Sequence, residues 1–442
     1  MIIKYIYSLI LFRILKFSKS LDPNPSHFRI VPLSFYTPDK RNDKYFDYEN
    51  KKYGIRVAWV GSIPPSNIIN ISNDNSFYIY SWNIQNKFNI HKNEWGRNLW
   101  DYSFIDLSLT SGKYKVSIKP WTYSIRIPRF GSNEFNSDAN IFIGDPNIAS
   151  KSQWALGEAD KVIKSILFKN SDSISSVFWV GDIFYHDSAD IINYEWNKLL
   201  TNNNNHISGV TNYLHVALNG NHDYSSVSAC HNCIWNIKKD NLDCTSNDQI
   251  SGIWLQYFFV TDALQSFHQR LSEKYHRSCR VPYEYTFQVL IFGRNGYFII
   301  DNTWSPKQVN INWYDIKERL RLYIDNIFVV GHWDSIHAGS TSSVKDWIHY
   351  IHKYFYEKTI IGIQGHTHIN NIQDINYFNT FSNKYLSYKL LTVGGNGFKG
   401  SGCNCKNSCI NCHCCCPTVY SNNKWYIGGW DNDKACNNLK LI

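Results

Sequence analysis

Apolar and polar positions give the chain two textures. From about Phe28 to Gly131, short aromatic and β-branched runs such as SFYIYSW (Ser76 to Trp82), KYKVSI (Lys113 to Ile118) and TYSIRI (Thr122 to Ile127) are separated by clusters of Asn, Asp, Gly and Pro. Short runs of this kind bounded by turn residues mark strands, so the pattern predicts an N-terminal β-rich domain over 25–135. Its boundary falls in the polar, turn-rich GSNEFNSD, Gly131 to Asp138. Beyond it, buried-looking apolar runs alternate with segments of helical period, the signature of βα units, and predict an α/β domain over 139–400. Its predicted strands are Asn140 to Gly144, Ser176 to Gly181, Leu214 to Gly220, Tyr297 to Asp301, Ile327 to Gly331, Thr359 to Gly365 and Leu390 to Gly394. Its predicted helices are Ser152 to Phe168, Trp313 to Asp325 and Ser343 to Tyr356. The insertion from Tyr224 to about Val289 carries four cysteines and reads as a covalently stapled lid or rim.

Both ends of the chain add to this picture. The opening MIIKYIYSLILFRILKFSKS has a basic Lys4, an apolar run from Tyr5 to Phe12 and small residues Ser18 and Ser20, which predicts a cleaved secretory signal over 1–20. That run is too short to span a bilayer, which takes about 20 apolar residues, so no stable membrane insertion is expected after cleavage. Twelve cysteines fit an oxidising compartment and a secreted or lumenal location. Cys230, Cys233, Cys244 and Cys279 precede a Cys-rich C-terminal segment, 401–442, holding Cys403, Cys405, Cys409, Cys412, Cys414, Cys415, Cys416 and Cys436. A disulfide knot is the favoured reading there over a soft-metal cluster that would include His413. The formal charge of +9 is spread along the chain without a basic stripe, so no nucleic-acid partner is expected. Oligomeric state has no signature.

The chemistry lies where predicted strands end. IFIGDPN, FWVGDIFYHD, VALNGNHDY, FVVGHWD and IGIQGHTH each run an apolar strand through a glycine into a polar tip. One Gly-Asp after a strand is commonly a turn or a cap. Five in series point to convergence at one sheet edge, where α/β proteins gather their ligands. Asp145, Asp182, Asn221, His332, His366 and His368 are therefore candidate metal ligands, and oxygen with imidazole donors suits iron, zinc or manganese. His222, beside Asn221, is a candidate to face substrate.

The series GD…GDxxY…GNHD…VxGHxxS…GHTH, over about Asn140 to Gly397, resembles the purple acid phosphatases within the calcineurin-like metallophosphoesterase superfamily. Two linked residues carry that distinction. Asn147 stands where the wider superfamily has a histidine, and Tyr185 follows Asp182 by three. Separations of 37, 39 and 34 residues, from Asp145 to Asp182, Asp182 to Asn221 and His332 to His366, resemble the small tartrate-resistant type. The resemblance implies two mixed sheets packed face to face with helices outside, preceded by a small β-domain such as a sandwich. It implies Fe(III) held by Asp145, Tyr185 and His368, a divalent ion (Fe, Zn or Mn) held by Asn221, His332 and His366, and Asp182 bridging them. It further implies acid hydrolysis of phosphomonoesters, small or phosphoprotein, by a metal-activated water. His222 would donate to a phosphoryl oxygen and His337 would protonate the leaving group. Two other readings stay open: a zinc or manganese phosphodiesterase or protein phosphatase, and a non-catalytic surface protein retaining the fold.

Overall fold

The computed structural model describes residues 26–37, 40–60, 68–73, 76–81, 87–88, 102–118, 121–128, 131, 139–146, 174–183, 213–221, 223, 287–336, 340–368, 370–393, 418–421, 424–431 and 434–441. With strands numbered along the chain, the first sheet contains β1 (Ser26–Pro32), β2 (Lys52–Val60), β5 (Lys87–Phe88), β6 (Tyr102–Thr110), β9 (Ala139–Ile143), β10 (Ile174–Val180), β11 (Leu214–Leu218), β18 (Thr418–Ser421), β19 (Lys424–Asp431) and β20 (Lys434–Leu441). Their order is β20-β19-β18-β9-β10-β11-β1-β2-β6-β5. The second sheet contains β12 (Gln288–Phe292), β13 (Asn295–Ile299), β14 (Asn326–Val330), β15 (Thr359–Gln364), β16 (Asn370–Asn379) and β17 (Lys384–Val393), in the order β12-β13-β14-β15-β17-β16. Both sheets are mixed. β9, β10, β11 and β1 run parallel in the first, and β13, β14, β15 and β17 in the second, with antiparallel strands outside them. Parallel strands covered on both faces read as continuous apolar runs. NIFVV of β14 and TIIGIQ of β15 have that composition, and only the first residue of each escapes full burial.

The two sheets pack face to face across an aromatic layer. Phe142 of β9 stacks on Phe178 of β10 with ring centroids 4.7 Å apart, and Phe178 meets Tyr297 of β13 at 4.8 Å. Further along, Tyr420 of β18 meets Phe328 of β14 at 4.9 Å. Such pairs contribute about 0.5–1.5 kcal/mol each beyond their buried area. The Asn140 amide crosses the layer, donating to the Tyr297 hydroxyl at 2.9 Å. Burial holds that phenol well above its ordinary pKa.

The helices among the described residues lie on the second sheet. α1 (Trp313–Leu320) starts where the Asn312 side chain accepts from Asp315 N and buries Trp313, Ile316 and Leu320. α2 (Val344–Ile351) starts with a reciprocal Ser343–Asp346 capping box and buries Val344, Trp347, Ile348 and Ile351. Both are shorter than their apolar period predicts. After α1 the Tyr323 amide donates to Leu320 O, and after α2 Lys353 N donates to Tyr350 O and Tyr354 N to Ile351 O. These i to i−3 bonds tighten the last turn and stop the α-helix.

The N-terminal β-rich stretch divides between two sheets. β3 (Ile68–Asn73), β4 (Ser76–Ser81), β7 (Gly112–Ile118) and β8 (Trp121–Ile127) form a separate antiparallel sheet in the order β4-β3-β7-β8. β1, β2, β5 and β6 instead continue the first sheet, and β1 covers the β11 edge with Ile30 opposite Leu214. The fold is thus α/β, two mixed sheets face to face with helices outside and a separate antiparallel β-unit in the N-terminal part of the chain. The expected signal, the helix Ser152 to Phe168, most of the Tyr224 to Val289 insertion and the cysteine side chains lie outside the described residues. Among the described residues no helix is long and apolar enough to cross a membrane.

Candidate metal centre

Each ligand candidate in the structure sits just past the C-terminal end of a parallel strand. Asp145, Asp182 and Asn221 follow β9, β10 and β11 of the first sheet; His332 follows β14 and His366 and His368 follow β15 of the second. The ends meet through backbone bonds: Asp145 N donates to Gly181 O at 3.1 Å, and Gly365 N to His332 O at 2.9 Å. Turning sharply off a strand requires unusual backbone. Seven non-glycine residues among those described have positive φ, and four of them are Asp145 (50°), Asp182 (50°), His366 (72°) and His368 (52°). Asp and His tolerate this left-handed region better than branched residues. Strain of this kind, roughly 1–3 kcal/mol per residue, persists where the surroundings over-determine it and concentrates at functional sites.

Six of the seven predicted ligands are brought together in two donor groups that share Asp182. One group is Asp182, His332 and His366; the other is Asp145, Asp182 and His368; within each the ligand atoms lie within 4.8 Å of one another. In the first, His332 Nε2 stands 3.3 Å from Asp182 Oδ2 and 3.3 Å from His366 Nδ1. The Asn221 amide oxygen completes it, 3.0 Å from His366 Nδ1 and 3.3 Å from His332 Nε2. In the second, His368 Nε2 stands 3.4 Å from Asp145 Oδ1, while Asp145 Oδ2 accepts the His366 N–H at 2.9 Å. His332 Nδ1 lies 3.0 Å from Val180 O, so a proton there is donated to the carbonyl and Nε2 faces the cluster.

Two glycines make this crowding feasible. A Cβ on Gly220 would overlap Asp182 Oδ1 and N, and a Cβ on Gly181, itself at φ 77°, would overlap the His332 ring. The glycines that precede the polar tips therefore clear space for one another's ligands.

The electrostatics call for a cation. Asp145 is fully buried and Asp182 nearly so. Burial pushes the Asp145 carboxyl up, opposed by the neighbouring His332 and His368. Burial works against a charged His332, yet the Asp182 and Asp145 carboxylates outweigh it and raise its pKa to about 10. Two carboxylates in so little water need positive charge beside them, which a proton on His332 or a metal ion supplies. Oxygen and imidazole donors without sulfur fit a borderline transition metal or zinc.

Tyr185, His222 and His337 lie outside the described residues. Two further buried residues, without a distinct signature in the sequence, hold the loops that carry these donors. Asp223 accepts from Ile183 N at 2.8 Å and Gly220 N at 2.9 Å, tying the turn after β10 to the turn after β11. Its acidic place in GNHD was the available signal. Asn302 accepts the His332 N–H at 3.0 Å, and nothing in the pattern IIDNTW marks it. A cavity of about 430 Å³ beside α2 is lined by residues such as Lys307, His349, Tyr350, Lys353 and Phe381 and by none of the six ligands.

No protein-family model and no curated protein matches the chain. Similar solved structures include a purple acid phosphatase from yellow lupin (Lupinus luteus) seeds, at TM-score 0.56 and 12% identity, covering 92% of this chain and 72% of that one. The anchor protein of the inner membrane complex of Plasmodium follows at TM-score 0.36 and 14% identity, over 69% of this chain and 88% of that one. A 5'-nucleotidase from Candida albicans gives TM-score 0.29 and 12% identity, over 69% of this chain and 50% of that one. At this identity the likeness to the lupin structure is one of fold, the metallophosphoesterase fold.

Proposed function

We propose, on the premise of that fold, that the chain is a metal-dependent phosphoester hydrolase of the purple acid phosphatase kind, acting on phosphomonoesters at a dinuclear Fe(III)–M(II) site. The observation that carries this reading is the shared carboxylate: Asp182 belongs to both donor groups. Around it the donors divide by charge. Asp145 lies with His368 on one side, and Asn221, His332 and His366, which would bind a metal as uncharged donors, lie on the other. An anionic set supports a trivalent ion and a neutral set a divalent one. Tyr185 is assigned to the Asp145 side on sequence grounds.

When bound, two such ions would polarise the phosphoryl group and supply a nucleophilic water at neutral or acid pH. This chain's residues hold that arrangement in place: Val180 O orients His332, and Asp223 fixes the two turns that bear Asp182 and Asn221. His222 is proposed to hydrogen-bond a phosphoryl oxygen and His337 to protonate the leaving alkoxide. The signal-like start and the cysteines support a secretory route.

The test is metal analysis, a visible spectrum and a 4-nitrophenyl phosphate pH profile on the purified protein. The expected result is about one iron per chain, a tyrosinate charge-transfer band abolished by Tyr185→Phe, and an acidic optimum. Colourless protein holding only zinc or manganese would instead favour a calcineurin-like phosphodiesterase. Retention of band and iron in Tyr185→Phe would end the tyrosinate assignment.

A further inference from the structure

We infer that Asn302 is a positioning residue for the metal centre, the group that sets where His332 stands; the inference rests on the metal-site reading above. Asn302 is fully buried just past β13, one strand away from the histidine it holds. Its side-chain oxygen accepts two successive backbone N–H groups, His332 at 3.0 Å and Trp333 at 3.3 Å. Its amide nitrogen donates to Ser342 O at 3.2 Å, and its own carbonyl accepts Thr341 N at 2.9 Å and Ser342 N at 3.2 Å. One side chain and its backbone thus clasp both ends of the excursion between β14 and α2.

Gly331 is shaped to this amide. A Cβ there would come within 2.6 Å of Asn302 Oδ1. His332 is consequently held at its backbone by Asn302 and at its ring by Val180 O, so Nε2 has little freedom except toward Asp182 and Asn221. A ligand fixed at two points enters metal binding with its orientation already set, and loss of such a support typically lowers metal affinity about 10–100-fold. Leucine or alanine at 302 removes the acceptor of both N–H groups, while aspartate keeps an acceptor there and, protonated on its other oxygen, a donor to Ser342.

The experiment titrates Mn²⁺ into metal-free wild type, Asn302→Ala, Asn302→Asp and Gly331→Ala, with hydrogen exchange of the His332 and Trp333 amides read in parallel. Asn302→Ala is expected to weaken one of the two Mn²⁺ positions about 10–100-fold and leave the other within a few-fold. Amide exchange should quicken at 332–333 and stay slow in β15. Asn302→Asp should recover most of the affinity, and Gly331→Ala, with Asn302 intact but displaced, should reproduce the selective loss. Wild-type affinity at both positions in Asn302→Ala or Gly331→Ala overturns the inference. So does an equal weakening of both positions that follows the fall in melting temperature and is not rescued by aspartate. Wild-type protein that binds two Mn²⁺ ions but hydrolyses no phosphoester sinks the catalytic reading alone and leaves the positioning role supported by the titration. Wild type that binds no Mn²⁺ sinks the metal-site reading and this inference with it.

Discussion

At the scale of single residues, Asp182 and the atoms crowded against it govern the site. Gly220→Ala places a methyl where Asp182 Oδ1 and N now lie. The expected outcome is a loss of metal affinity on the order of 10–100-fold, measured by competition with a chelator, and a matching fall in kcat/KM for an aryl phosphate. Far-ultraviolet circular dichroism should change little, because Gly220 lies past the end of β11. The six clustered donors were legible in the sequence because they follow apolar runs that end at a glycine, a local pattern. Asn302 was not, because it touches His332 only through the parallel pairing of β13 and β14, which juxtaposes residues some thirty positions apart.

At the scale of elements, the strand pair β2–β6 and the packing of α2 make separate predictions. Arg56, fully buried on β2, forms a two-pronged ion pair with Asp106 on β6 at 2.7 and 2.9 Å and lies over the Phe104 ring. Asp106→Ala removes the carboxylate that faces a buried guanidinium and is expected to lower unfolding free energy by about 3–5 kcal/mol, read by urea denaturation. On α2's C-terminal side His352 is buried with Tyr377 as hydrogen-bond partner, and burial together with nearby His349 holds its pKa down at about 4. The unfolded chain protonates this histidine near its ordinary value of roughly 6.5, before the folded protein does. Stability present at neutral pH is therefore lost as pH falls from about 6.5 to 4, by up to about 3 kcal/mol for this group. Melting scans across that range should show a steeper fall for wild type than for His352→Gln. Helix starts were readable from Ser343 and Asn312, whose caps are local chemistry. Helix ends were overshot, because what stops them is a tightened turn set by where the next strand must begin.

At the scale of the whole molecule, the donor groups join two sheets: three donors follow strands of the first and three follow strands of the second. Metal binding should therefore staple the sandwich. Adding excess Mn²⁺ or Zn²⁺ to chelator-treated protein is expected to raise the melting temperature by several degrees, since occupancy at about 100 times Kd stabilises by about 2.7 kcal/mol per site. The unchanged melting of Asp182→Asn under the same addition would tie the shift to this site. The apolar runs by themselves determined the strands β9 to β11 and β13 to β15, the last part of β17, and the polar residue at the tips, because strand burial and turn chemistry are written within a few neighbouring positions. The sequence also determined, through its recurring glycines, that the tips converge. Tertiary structure alone decided that β1, β2, β5 and β6 extend the first sheet while β3, β4, β7 and β8 stand apart. It alone decided which histidine nitrogen faces the cluster. Those outcomes depend on which distant strands pair and in what register, and pairing is settled by packing two whole faces against each other, a property no local stretch of the chain contains.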